Sequence, residues 1–169
     1  MVDCQGKYLM PGFVDIQING SHGCDYSCSP TLESIEHSRR SLLKTGECCT
    51  SSKLPRRKRK RTWALIRAAP SPHIKGCTSH CPTLVSLTSP EYRSLLPLLT
   101  SPTPGCSDSL GLHLEGPHFC PEKKGAHLLP NICDPSDFEA WKDMVGPEWE
   151  KVKIVTLAPE LPNSLGLIR

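Results

Sequence analysis

The sequence predicts an α/β fold built on a parallel sheet, and three observations carry that prediction. Short apolar runs alternate with amphipathic stretches of helical period along most of the chain. Glycine, proline and small polar residues punctuate the junctions between them. That strand-helix alternation favours parallel strands with helices packed outside. At 169 residues the chain can bury a real core, yet falls short of the roughly 250 residues typical of a closed eight-stranded α/β barrel.

The elements follow in order. Lys7 to Met10 and Phe13 to Ile18 read as two brief strands parted by Pro11 and Gly12, the second ending at Asn19 and Gly20. Ser29 is the expected cap and Pro30 the first position of a helix, with Leu32, Ile35, Leu42 and Leu43 on one face. Early Glu33 and Glu36, late Lys44 and a Gly46 stop agree with the helix dipole. Cys77 to Val85 is the next strand, and Ser89 and Pro90 open a helix through Leu99. Leu110 to Glu115 is a further strand. Asp134 and Pro135 open a helix with Phe138, Trp141, Met144 and Val145 on one face, stopped by Gly146. Val152 to Leu157 is the last strand.

Residues 47 to 76 interrupt this rhythm with nine Lys or Arg against one Glu, three prolines and no periodic apolar face. Removing them joins a helix and its glycine stop directly to a strand, so they read as a disordered insertion. The net charge of +3 is therefore local, since the rest of the chain is acidic. The run Lys53 to Arg61 could attract phosphate backbones or a nuclear import receptor. It lacks the aromatic interleaving or zinc spacing of a folded nucleic-acid reader. An uncommitted solvated insert is the simpler reading.

No stretch approaches the roughly 20 apolar residues that span a bilayer, and no secretion signal is evident, so a cytoplasmic protein is expected. The ten cysteines then read mostly as reduced thiols. Cys77, His80 and Cys81 could be taken as metal ligands, although the strand pattern favours structural roles.

In parallel sheets, ligands gather at the carboxyl ends of the strands. Two polar sets lie there. Alternation places Asp15, Gln17 and Asn19 on one strand face, against Val14, Ile16 and Ile18. An ordinary Asn-Gly turn is the competing explanation. In the second set Leu110, Leu112 and Leu114 share a face opposite His113 and Glu115, with Gly116-Pro117 fixing the turn. A carboxylate so placed suits a divalent cation, or merely a helix cap or a lysine partner. His113 alone reads as a hydrogen-bonded interior residue.

Several of these segments resemble one family. Pro11 to Gly20 is similar to a PGFxDxQxNG motif of the N-acetylglucosamine-6-phosphate deacetylases, in the amidohydrolase superfamily. Leu112 to Pro117, Lys124 to His127 and Thr156 to Glu160 match further family segments in order, and Thr78 to Val85 resembles another. His118, Ser21 and Leu128 depart from the pattern. The resemblance implies the first half of a (β/α)8 TIM-type barrel over residues 11–46 and 77–160. It also implies a remnant of a small β domain at 1–10 and a divergent tail at 161–169.

By position the resemblance makes Glu115 a metal ligand, Gln17, Asn19 and His113 its surroundings, and Ala126 and His127 contacts to a sugar phosphate. It implies one divalent ion, zinc, since amides are poor ligands for such a metal. The implied reaction is hydrolysis of the N-acetyl group of N-acetylglucosamine 6-phosphate, giving glucosamine 6-phosphate and acetate. A homodimer is implied for the complete enzyme. The family's catalytic Asp and two metal-binding histidines match nothing before Arg169, so no catalytic residue is expected within this chain and no turnover from it alone.

Overall fold

The structure is a computed structural model describing residues 11–45 and 76–168. The expected strand Lys7 to Met10, the basic stretch and its proposed disorder lie outside the described residues. The described residues form β1 (Phe13–Ile18), α1 (Leu32–Thr45), β2 (Cys77–Leu84), α2 (Ser89–Thr100), β3 (Asp108–Ser109), β4 (Leu112–Glu115), α3 (Phe138–Val145), β5 (Val152–Thr156) and α4 (Ser164–Leu167). Short 3-10 turns occur at Pro121–Lys123, Leu129–Asn131 and Pro147–Lys151.

The strand order is β1-β2-β4-β5, with β3 beside β2, and every described pairing is parallel. This is the α/β class the alternation predicts. The core lies between the sheet and its helices: Ile18, Leu84, Leu112 and Leu114 from strands meet Ile35 and Leu42 of α1, Tyr92, Leu96 and Leu99 of α2, and Trp141 and Val145 of α3. Phe138 and Met144 pack partly buried against it, as the helical period of α3 requires.

Helix starts fall a little later than the sequence suggests. Ser29 takes a left-handed backbone instead of capping. Thr31 does the capping: its hydroxyl accepts from Ser34 N at 3.1 Å, and Ser34 Oγ accepts from Thr31 N at 3.0 Å. Likewise Asp137, and not Asp134, caps α3 by accepting from Ala140 N at 2.9 Å. Asp134 is drawn instead toward His118.

The inward face of α1 also differs. Ile35 and Leu42 are buried, but Leu32 is 57% exposed, and Ser38 and Arg39 occupy the buried positions between. Arg39 is only 1% exposed. Its guanidinium donates to Leu99 O, to Ser101 O at 2.8 Å and to Thr103 Oγ1 at 2.8 Å, closing the carbonyl end of α2. A helix end leaves carbonyls without partners, and Arg39 supplies donors from a different helix.

The strand expected from Leu110 begins only at Leu112. Gly111 takes φ 131°, and a Cβ there would meet Lys151 O and the Lys153 side chain. Leu110 is therefore 49% exposed and does not share the buried face of Leu112 and Leu114. Val14 and Ile16 are exposed as well, unlike Ile18, because β1 is an edge strand and the described residues place no helix over its first half.

The seven described cysteines are free thiols. Cys77, His80 and Cys81 are buried along β2, where His80 pairs with Ser107 Oγ at 3.0 Å. Among the described residues, no group of three or more His, Cys, Asp or Glu is arranged to hold a metal ion. No described helix is long and apolar enough to cross a membrane.

Candidate functional site

Glu115 ends β4, Gln17 nearly ends β1 and Asn19 follows it, so a parallel sheet brings all three to the same carboxyl edge. Gln17 Nε2 donates to Glu115 Oε1, and Asn19 Nδ2 donates to Glu115 Oε2 at 3.0 Å. Asn19 Nδ2 also reaches Thr83 O at 3.4 Å, tying the amide to β2 between them. Among the described residues the carboxylate is thus held by neutral donors. Each oxygen accepts one amide hydrogen and keeps further lone-pair capacity. Asp15, on the same face, accepts from Gln17 N at 3.0 Å, and burial pushes its carboxyl above the ordinary range.

His113 lies beneath, 4% exposed. Its Nδ1 is 2.9 Å from Ile16 O, and its Nε2 is 2.8 Å from Thr156 Oγ1. A carbonyl only accepts, so Nδ1 carries the proton and Nε2 accepts from the threonine. Both nitrogens are used, and His113 spans β1, β4 and β5 as a brace.

His127 follows a turn in which Gly125 has φ 57° and Ala126 is half-buried. Its Nδ1 accepts from Ser86 N at 3.1 Å and lies 2.8 Å from Ser86 Oγ. The amide donor fixes Nδ1 as acceptor, so Nε2 holds the proton and is available to donate. Burial lowers the pKa of His127 and nearby Lys124 acts in the same sense, while Glu115 opposes them. The Phe119 ring packs edge-on at 4.6 Å, and Lys124 Nζ donates to His127 O at 2.8 Å.

Ser86 joins the two halves of the site. Its hydroxyl also lies 3.2 Å from Glu115 O, and its carbonyl accepts from Asn131 Nδ2 at 2.9 Å. Sequence reasoning missed Ser86 and Thr156. Ser86 sits two residues beyond β2, at the same carboxyl edge as the others, which is the signal that could have found it. Thr156 lies in a segment already noted, without a role.

The described donor set fits one leg of a metal site. Glu115 can ligate while keeping its amide partners, but zinc sites use three or more protein ligands. His113 has no free nitrogen, and His127 spends Nδ1 on Ser86.

Parallel strands and external helices define part of a (β/α)8 barrel, and Glu115 with its two amide partners lies at the carboxyl edge of its strands. The comparisons find one set of similar proteins. The chain is 36% identical over 172 residues to the human N-acetylglucosamine-6-phosphate deacetylase, covering 99% of itself and 35% of that protein. It is 32% identical to the Danio rerio enzyme of that name over 171 residues, with the same coverage. The crystal structure of the Pasteurella multocida deacetylase superposes with a TM-score of 0.66 at 24% identity, over 96% of this chain and 35% of that one. The Thermotoga maritima deacetylase gives 0.56 at 26% identity, over 92% and 33%. No protein-family model matches. Over nearly its whole length the chain is thus similar to proteins named N-acetylglucosamine-6-phosphate deacetylase, and it spans about a third of the length of the relatives it matches.

Proposed function

We propose that residues 11–46 and 77–160 carry one sector of a metal-dependent site for hydrolysis of the N-acetyl group of N-acetylglucosamine 6-phosphate, giving glucosamine 6-phosphate and acetate. The observation that supports it most is the convergence of Gln17 and Asn19 on Glu115 at the strand carboxyl edge. Glu115 would hold one divalent ion, zinc in this proposal, which when bound would polarise an amide carbonyl and acidify water. Gln17 and Asn19 orient the Glu115 carboxylate. His113 braces the floor. His127 Nε2–H and the Ala126 turn would meet the oxygens of the sugar phosphate, with Lys124 adding positive charge. This is the work of a cytoplasmic enzyme of amino-sugar breakdown, a homodimer when complete.

Glu115 alone among the described residues is not a working metal site, and the chain by itself is proposed to be inactive. The test is a chimera in which this chain replaces the matched third of the human relative. A folded chimera should release acetate from N-acetylglucosamine 6-phosphate, and its Glu115→Gln version should lose at least about 100-fold. Equal activity in the two would overturn the assignment.

A further inference from the structure

The segment that carries Ala126 and His127 leaves the end of β4 and returns to α3, and its two ends meet at one place. Going out, Glu115 is followed by Gly116, Pro117 and His118. Coming back, Cys133 N donates to Pro117 O at 3.2 Å, and Asp134 lies beside His118. Residues 119–133 are thus a loop pinched at its neck, with ends held close as in other compact surface loops.

His118 is the pin, and it is only 1% exposed. The one hydroxyl hydrogen of Ser164 goes to Ala158 O at 2.6 Å, so Ser164 Oγ accepts from His118 Nε2 at 2.9 Å. On the other side Nδ1 lies 3.0 Å from Asp134 Oδ1, as an ion pair and not as an aligned hydrogen bond. A carboxylate offers no hydrogen, so that approach is attractive only with a proton on Nδ1 as well. A doubly protonated ring then joins the neck of the loop to the turn after β5, where Ala158 N also donates to His118 O at 2.8 Å.

Contacts inside the loop lead from His118 to His127. Phe119, the next residue, packs its ring edge-on against His127 at 4.6 Å. A Cβ at Gly116 would overlap the Phe119 ring and Ser86 Oγ, so that glycine makes room for both. From the returning half of the loop, Asn131 Nδ2 donates to Ser86 O at 2.9 Å. The orientation of His127 therefore rests on Phe119 and Ser86, and the place of Phe119 rests on His118.

We infer that His118, paired with Asp134, is a positioning residue: it closes the neck of loop 119–133 and so holds Ala126 and His127 in place for the sugar phosphate. The substrate named in this inference rests on the proposed function. A loop that grips a part of the substrate remote from the reacting amide binds ground state and transition state alike, so loosening it raises KM and leaves kcat.

Two measurements test it. In the chimera with the human relative, His118→Phe and Asp134→Asn should each raise KM for N-acetylglucosamine 6-phosphate by at least about tenfold, with kcat within about threefold, and Asp134→Glu should stay near the parent. In the 169-residue chain the same two substitutions should speed amide hydrogen exchange at His127, Asn131 and Cys133 by at least about tenfold, with the amides of β2 unchanged. An unchanged KM beside an intact Glu115→Gln loss would overturn the role of His118 alone. Equal activity of the parent and Glu115→Gln chimeras would overturn the proposed function, and the exchange result would still decide whether His118 closes the neck. Unchanged exchange in the loop, exchange that speeds throughout the sheet, or a kcat that falls as far as KM rises would each overturn the inference.

Discussion

The side-chain amide of Asn19 donates to Glu115 Oε2 at 3.0 Å across 96 positions of sequence, joining the end of the first strand to the end of the fourth. With Gln17 on the other oxygen, it holds a carboxylate ready at the edge of the sheet without neutralising it. Neutral donors leave the negative charge of Glu115 for a cation.

Replacing Glu115 by Gln therefore removes a charge-assisted acceptor from both amides. The expected loss in stability is only about 1 kcal/mol, because the pairing with Gln17 is exposed to water. Urea unfolding of the two proteins measures it. A loss several times larger would mean that Glu115 serves the fold before any ligand.

Arg39 stands at the opposite extreme. Its fork closes the end of α2 from a nearly fully buried position. Arg39→Met should cost roughly 3 kcal/mol in urea unfolding, since it strands the Ser101 and Leu99 carbonyls. Arg39→Lys should recover little, because one ammonium cannot reproduce the planar fork.

His80 makes stability depend on pH. Burial, helped by the charge of Arg39, pushes its pKa from the ordinary 6.5 down to about 4. The unfolded chain binds that proton more readily, so stability is fully present above pH 6.5 and falls as pH drops toward 4, by roughly 3 kcal/mol in total. His80→Gln should flatten that part of the profile. An unchanged slope in the variant would assign it to other groups.

Gly20 has φ 135°, and a Cβ there would overlap the Cys24 carbonyl. Gly20→Ala should destabilise by about 2 kcal/mol or more, and should also displace Asn19, its neighbour. Thermal unfolding checks the first effect. Loss of the Asn19 side-chain amide shift perturbation in NMR checks the second.

The sequence made some of this legible and concealed the rest for physical reasons. Alternation in β1 and β4 sorts Gln17 from Ile18 and Glu115 from Leu114, because strand period and burial agree there. It fails at Leu110, where Gly111 breaks the strand, and at Val14 and Ile16, where an edge position leaves apolar residues uncovered. Arg39 escaped because hydropathy cannot see a buried charge that finds carbonyl partners from a distant helix. Asp134 looked like a cap because Asp-Pro is a good one, but His118 Nδ1 lies 3.0 Å from its Oδ1 and Asp137 is better placed. The meeting of Asn19 and Glu115 follows from strand order and could not be read from spacing. Ser86, which ties His127 to that pair, carries no motif of its own.

The role of Glu115 can be read directly from where a paramagnetic ion settles. Mn2+ favours carboxylate and amide oxygen and broadens nearby NMR signals even when binding is weak. Titrated into the 169-residue chain, it should first broaden the side-chain amides of Gln17 and Asn19 and then the signals of His127, and Glu115→Gln should abolish the effect. Broadening centred elsewhere, or surviving in that variant, would contradict Glu115 as the metal-holding residue of this fold.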